Sequence, residues 1–135
     1  MPKKSPKKFC YLQNWGSFEH ETFVVVGMSL KEILRYMVRH AFCEDTIESF
    51  EACARNSILT SALVWRKDGR TVLWFPDWKD DWYHWSTLVH ETHHLVNGVL
   101  AEHSDMIDEP EAQAYQQEYL FNSIRKRLSK AYHKG

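Results

Sequence analysis

The sequence predicts an α+β domain: a small sheet, made of one strand and one hairpin, packed on helices. Three observations predict it. Residues 23–26 are large, apolar and mostly β-branched, and Gly27 stops them, as in a short buried strand. Asp68-Gly69 stands between two apolar runs, 59–65 and 70–75, and Asp-Gly is a strong signal for a two-residue hairpin turn. Three longer segments, near 29–41, 81–98 and 110–129, repeat their apolar residues at helical spacing.

A chain of 135 residues fits one domain with a core of useful size. Residues 1–8 are rich in Lys and Pro and are expected to form a disordered basic tail, leaving 9–130 as a single domain. No apolar h-region follows the tail, so no secretory signal is expected. No apolar run reaches the length of a membrane span. A net charge of −1 makes nucleic acid unlike a main partner. Three cysteines form no C-x-x-C and leave one unpaired in any disulfide scheme, which favours a reduced, cytoplasmic setting.

Taken in order, residues 9–22 hold aromatics without a convincing period. Ser29 opens a helix, with Glu32 three residues later completing a capping box. Leu30, Ile33, Leu34, Met37, Val38 and Ala41 make its apolar stripe, and His40 places a charge at its C-terminal end. A second short helix covers 46–55, with Ile47, Phe50 and Ala54 inward; Cys43 and Cys53 read as small core residues. In the hairpin, the Asp68-Gly69 turn pairs Trp65 with Val72 and Leu63 with Trp74. Both hairpin faces are apolar, so helices must cover one, and the other takes either the 81–98 helix or a substrate groove.

On that helix Trp85, Leu88, Val89, Thr92, Leu95, Val96 and Val99 share one arc, with Thr87, His90, Glu91 and His94 opposite. Asn97-Gly98 reads as an end signal, which 99–101 can outrun. His84 reads as a surface residue. The last helix opens on Pro110 and buries Leu120, Phe121, Ile124 and Leu128; Arg125, Lys126 and Arg127 complement its dipole.

His90-Glu91-Thr92-His93-His94 has the form H-E-x-x-H. Residues four apart on a helix lie one turn apart on one face, so His90 and His94 can share a metal ion. Glu91 lies about 100° round from His90 and about 60° from His94. Two imidazoles and a neighbouring carboxylate are what zinc-assisted hydrolysis needs. The bland alternative is a surface helix that happens to carry histidines. His93 is set aside, because only His94 has the spacing that puts Glu91 between the ligands. Zinc that keeps an open position needs another protein ligand, and His103, Asp105, Asp108, Glu109, Glu111 and Glu118 are the candidates.

With these residues the chain resembles the zincin superfamily of metallopeptidases, and among its branches the Glu-zincins. Glu111-Ala112-Gln113-Ala114-Tyr115 is similar to the E-x-x-A-Y pattern of small zincin-like proteins of phages and bacteria. The resemblance spans roughly residues 59–125 in the order hairpin, active helix, glutamate helix. It implies Zn2+ held by His90, His94 and Glu111, Glu91 as general base, and a peptide or protein substrate. It also implies a minimal zincin-like fold, of a cytoplasmic or phage-encoded protein, with Arg70–Phe75 as the edge strand that holds an extended peptide. Tyr115, four residues after Glu111, is a candidate oxyanion donor or a packing residue. Asn97 and Leu100 stand where the metzincin form needs Gly and His, so that branch is disfavoured. Glu111 also fits the N3 position of a capping box opened by Asp108. Two other functions compete with the peptidase. One is a catalytically silent zincin-like metal-binding or interaction protein; the weaker is nucleic-acid binding through the lysine tail and the basic last helix.

Overall fold

The computed structural model describes residues 8–15, 20–56, 62–67, 69–102 and 110–132. The expected disordered tail lies outside them, apart from Lys8. The chain is α+β, with strands β1 (Phe9–Gln13), β2 (Glu21–Val26), β3 (Leu63–Lys67) and β4 (Arg70–Phe75), and helices α1 (Leu30–Arg39), α2 (Glu44–Asn56), α3 (Trp82–Glu102) and α4 (Pro110–Tyr132). The sheet runs β1-β2-β4-β3. The β3–β4 hairpin has the expected register, Trp65 against Val72 and Leu63 against Trp74. β2 pairs with β4 in parallel, and β1 pairs antiparallel with β2.

β1 is one strand more than the sequence suggested. Its alternation is real but split between two cores: Phe9 and Tyr11 pack on one side of the sheet and Cys10 on the other. Neither face is fully buried, so no single face shows the usual apolar and polar contrast. Burial raises the Cys10 thiol to about 11.

Among the described residues, helices cover both faces of the sheet. Phe23, Val25, Val72 and Trp74 project onto α1 and α2, where Ile33, Met37, Phe42 and Phe50 complete one core. Val24, Val26, Leu73 and Phe75 project the other way, onto Leu88, Leu95, Val99, Leu120 and Ile124 of α3 and α4. This is the period-two division of strand side chains that a doubly covered sheet requires. α3 lies across β3 and β4. α4 is fastened to β1 and the segment after it: Gln13 Nε2 donates to Ser123 Oγ at 2.8 Å and Gln116 Nε2 donates to the Trp15 carbonyl at 2.8 Å. The Arg127 guanidinium lies 4.2 Å over the Tyr11 ring.

α1 begins as expected, with both halves of the Ser29–Glu32 capping box formed. It ends in a left-handed turn: Ala41 has φ 59°, the Ala41 N–H donates to the Val38 carbonyl and the Phe42 N–H to the Met37 carbonyl. These are the two hydrogen bonds of a Schellman motif, built without the usual glycine. Val38 and Ala41, expected inward, are exposed: Ile33 and Met37 take the core side of α1, and Ala41 lies in the turn. Cys43 is exposed too, its thiol 2.9 Å from Thr46 Oγ1 at the start of α2.

α3 departs further from expectation. It does not stop at Gly98 but continues to Glu102, because Val99 and Leu100 are fully buried and extend its core face. Val89 is exposed, whereas His84 and Thr87 are buried. The polar side chains are inside because local partners satisfy them. Thr87 and Thr92 hydroxyls donate to the carbonyls of Tyr83 and Leu88, four residues back. His84 Nδ1 lies 2.7 Å from Asp81 Oδ1, which also accepts from the His84 backbone N–H and so caps the helix. That backbone hydrogen bond, then the ring, holds the Asp81 carboxyl below its ordinary range. Among the described residues no helix is long and apolar enough to cross a membrane.

Candidate functional site

The exposed face of α3 carries the H-E-x-x-H residues, and it is exposed because the opposite face is committed to the core. Leu88, Thr92, Leu95 and Val99 are buried, while His90 and His94 face solvent and Glu91 sits half-buried at the boundary. The buried stripe therefore fixes the rotation of the helix, and the rotation fixes where the imidazoles point.

The two rings meet. His90 Nε2 and His94 Nε2 are 3.1 Å apart, with centroids 4.6 Å apart and planes nearly perpendicular. As it stands this is an imidazole–imidazole hydrogen bond whose donor depends on the tautomers. The same separation suits a shared ion: two nitrogens each about 2.0–2.1 Å from a tetrahedral zinc stand about 3.3 Å apart. His93 is turned to another partner, its Nε2 3.0 Å from Asn97 Nδ2.

The remaining expected site residues are elsewhere. Glu111 is exposed in the first turn of α4, and among the described residues no group of three His, Cys, Asp or Glu is placed to hold a metal ion. His103, Asp105, Asp108 and Glu109 lie outside the described residues. Tyr115 and Glu118 line a cleft of about 1340 Å³ with Phe9 and Trp15, between β1 and α4, which His90, Glu91 and His94 do not line.

One expectation is overturned. Arg70–Phe75 cannot hold an extended peptide along its edge, because β4 is an inner strand, paired with β2 on one side and β3 on the other. The edge strand beside α3 is β3. Sequence reasoning placed the hairpin correctly but had no local sign of the parallel partner, since β2 lies far upstream.

β3 brings a residue that sequence reasoning missed. Leu63 and Trp65 pack towards α1 and α2, and Val64 packs towards α3 and α4, so Arg66 follows Val64 onto the α3 side. Its guanidinium lies directly on Gly98, where any Cβ would collide with Nη1. The usable signal was Gly98 itself: a glycine inside a helix marks a close approach. Counting about 100° per residue, Thr87, Glu91, His94 and Gly98 fall within about 60° of one another around α3. Arg66 therefore approaches the helix on the side of Glu91 and His94.

No family model matches the chain, and neither a curated protein nor a solved structure matches it at a significant level.

Proposed function

We propose that the chain is a zinc-dependent peptide-bond hydrolase of zincin type. The observation that carries the reading is the His90–His94 pair, 3.1 Å between Nε2 atoms on the solvent face of a helix whose other face is core, with Glu91 beside it. His90 and His94 would hold the metal, and Glu111, at the start of the next helix, is the third ligand that the zincin resemblance implies. Zinc bound there would supply Lewis acidity to the substrate carbonyl and acidity to water. Glu91 takes the proton of the attacking water and passes it to the leaving amine. The edge of β3, unpaired among the described residues, would hold an extended peptide by main-chain hydrogen bonds, as strand addition does elsewhere.

Metal analysis tests the ligands. Protein with intact histidines is expected to carry about one zinc per chain. His90→Ala, His94→Ala and Glu111→Gln should each lose it while His93→Ala keeps it; the reverse pattern for the histidines sinks the assignment. Glu91→Gln should retain zinc and lose peptide hydrolysis by at least about a hundredfold. A specific observation favours the second reading, a silent metal-binding protein of the same fold: the described residues do not gather a third ligand around the pair. Zinc without hydrolysis in the unaltered chain would decide for it.

A further inference from the structure

We infer that the cleft between β1 and α4 is a docking site for an extended acidic peptide, which adds to the edge of β1 as a further strand. The inference does not draw on the hydrolase reading, since His90, Glu91 and His94 do not line the cleft. β1 ends the sheet on the side away from β3, and its outer edge is unpaired among the described residues. An exposed strand edge offers a peptide a row of main-chain donors and acceptors. α4 runs antiparallel to that strand. Arg127 lies over Tyr11, Ser123 accepts from Gln13, and Gln116 donates to the Trp15 carbonyl, so residue numbers fall along α4 as they rise along β1. Strand edge and helix form the two walls of a groove, in which an added strand finds places for its side chains.

The side chains of the groove select the occupant. Tyr115 and Tyr119, one helical turn apart, are 69% and 42% exposed, so two large rings meet solvent inside the cleft. Lys126 and Lys130 are also one turn apart and exposed, with Arg127 beside them. Among the described residues neither lysine makes an ion pair. Glu118 is the only carboxylate among the described lining residues, and it stands at the tyrosine end. The groove is therefore apolar at one end and cationic at the other, in a chain whose net charge is −1. Charge complementarity asks for carboxylates at the lysine end and an apolar side chain at the tyrosine end. The two pairs are centred about 16 Å apart along α4, at 1.5 Å per residue. An extended peptide covers that in four or five residues of about 3.3 Å each. Because strand side chains alternate, a spacing of four turns both groups to the same wall. Main-chain pairing is open to a polypeptide alone, which favours a peptide over a nucleic-acid strand for the same cations.

The test uses the full chain and short end-capped peptides, with binding measured by fluorescence anisotropy. The first peptide, Thr-Phe-Thr-Val-Thr-Glu-Thr-Glu, sets an apolar and an acidic side chain four residues apart; the second carries Lys in place of Glu. The acidic peptide is expected to bind at least about tenfold more tightly, since the exchange removes two attractions and adds two repulsions. The double variant Lys126→Glu, Lys130→Glu should invert the preference, and both positions are exposed, so the fold should tolerate it. The double variant Tyr115→Ala, Tyr119→Ala should weaken both peptides by at least about fivefold through lost apolar contact. Two versions of the acidic peptide, N-methylated at one or the other set of alternate amides, separate strand addition from plain charge attraction. Alternate residues of a strand turn their N–H groups to opposite edges, so one version should lose binding by about tenfold and the other should keep it. Equal binding of the acidic and lysine peptides, or no binding of the acidic one, overturns the inference. So does a preference untouched by the charge reversal, full affinity without the two tyrosines, or equal loss in both methylated versions. Tighter binding of a short single strand of thymidine nucleotides than of the acidic peptide also overturns it and gives the cleft to nucleic acid.

Discussion

α1 and α3 do the same structural work on opposite faces of the sheet, yet they treat glycine in opposite ways. α1 stops in a left-handed turn at Ala41, where a glycine would sit without strain. α3 contains a glycine in its interior and runs straight through it. At Ala41 the hydrogen bonds to Val38 and Met37, and the burial of Phe42 beside Met37, outweigh the cost of a left-handed alanine. At Gly98 the space left by the missing side chain is filled by Arg66. The first exception is explained by packing alone. The second gives up helix propensity to admit the Arg66 guanidinium against the helix backbone.

The largest test asks whether the two helices are equal as covers. Ile33→Ala in α1 and Leu95→Ala in α3 remove fully buried side chains from separate cores, and each should cost ~2–5 kcal/mol in denaturant unfolding. A cost below about 1 kcal/mol for either one would mean that its cover is loosely packed. A smaller test concerns the glycines. Ala41→Gly should gain about 1 kcal/mol by releasing the left-handed strain, and Gly98→Ala about 0.5–1 kcal/mol by helix propensity. If Gly98→Ala destabilises the chain, the Arg66 contact is itself holding the fold.

The smallest effect is a pH dependence shared by both helix starts. Glu32 in α1 and Asp81 in α3 are both held below their ordinary ranges, in each case chiefly by a backbone N–H that donates to the carboxylate. A lowered folded pKa means the unfolded chain takes up the proton first. The stabilisation is therefore present above about pH 4 and is lost as pH falls through the depressed folded values. The difference in Tm between the unaltered chain and Asp81→Asn should narrow between about pH 5 and pH 3. A difference that stays constant across that window would show that the cap is not electrostatic.

What could be read from the sequence follows how local the cause is. The hairpin register, the Ser29–Glu32 box and the last helix each depend on residues close in sequence, and each is present. β1 was missed because its pairing with β2 and its two half-buried faces only make sense once both helix layers are in place. The inner position of β4 depends on a parallel neighbour that no turn signal announces. His84 and Thr87 were read outward by residue type, but hydrogen bonds to Asp81 and Tyr83 let them go in. The meeting of His90 and His94 was readable because four-residue spacing is a property of one helix. Arg66 was not, since its place depends on how a strand crosses that helix.

The parallel seam between β2 and β4 also has a consequence for how the chain reaches this state. It joins Glu21 to Arg70 and Val26 to Phe75, residues roughly fifty positions apart, so its loop-closure entropy must be met before its contacts return anything. The β3–β4 hairpin, closed by a tight turn, carries no such delay. The order of events should therefore be hairpin first and central seam late. Hydrogen exchange pulsed during refolding should protect Val72 and Trp74, whose amides face β3, before it protects Leu73 and Val25, whose amides face the seam.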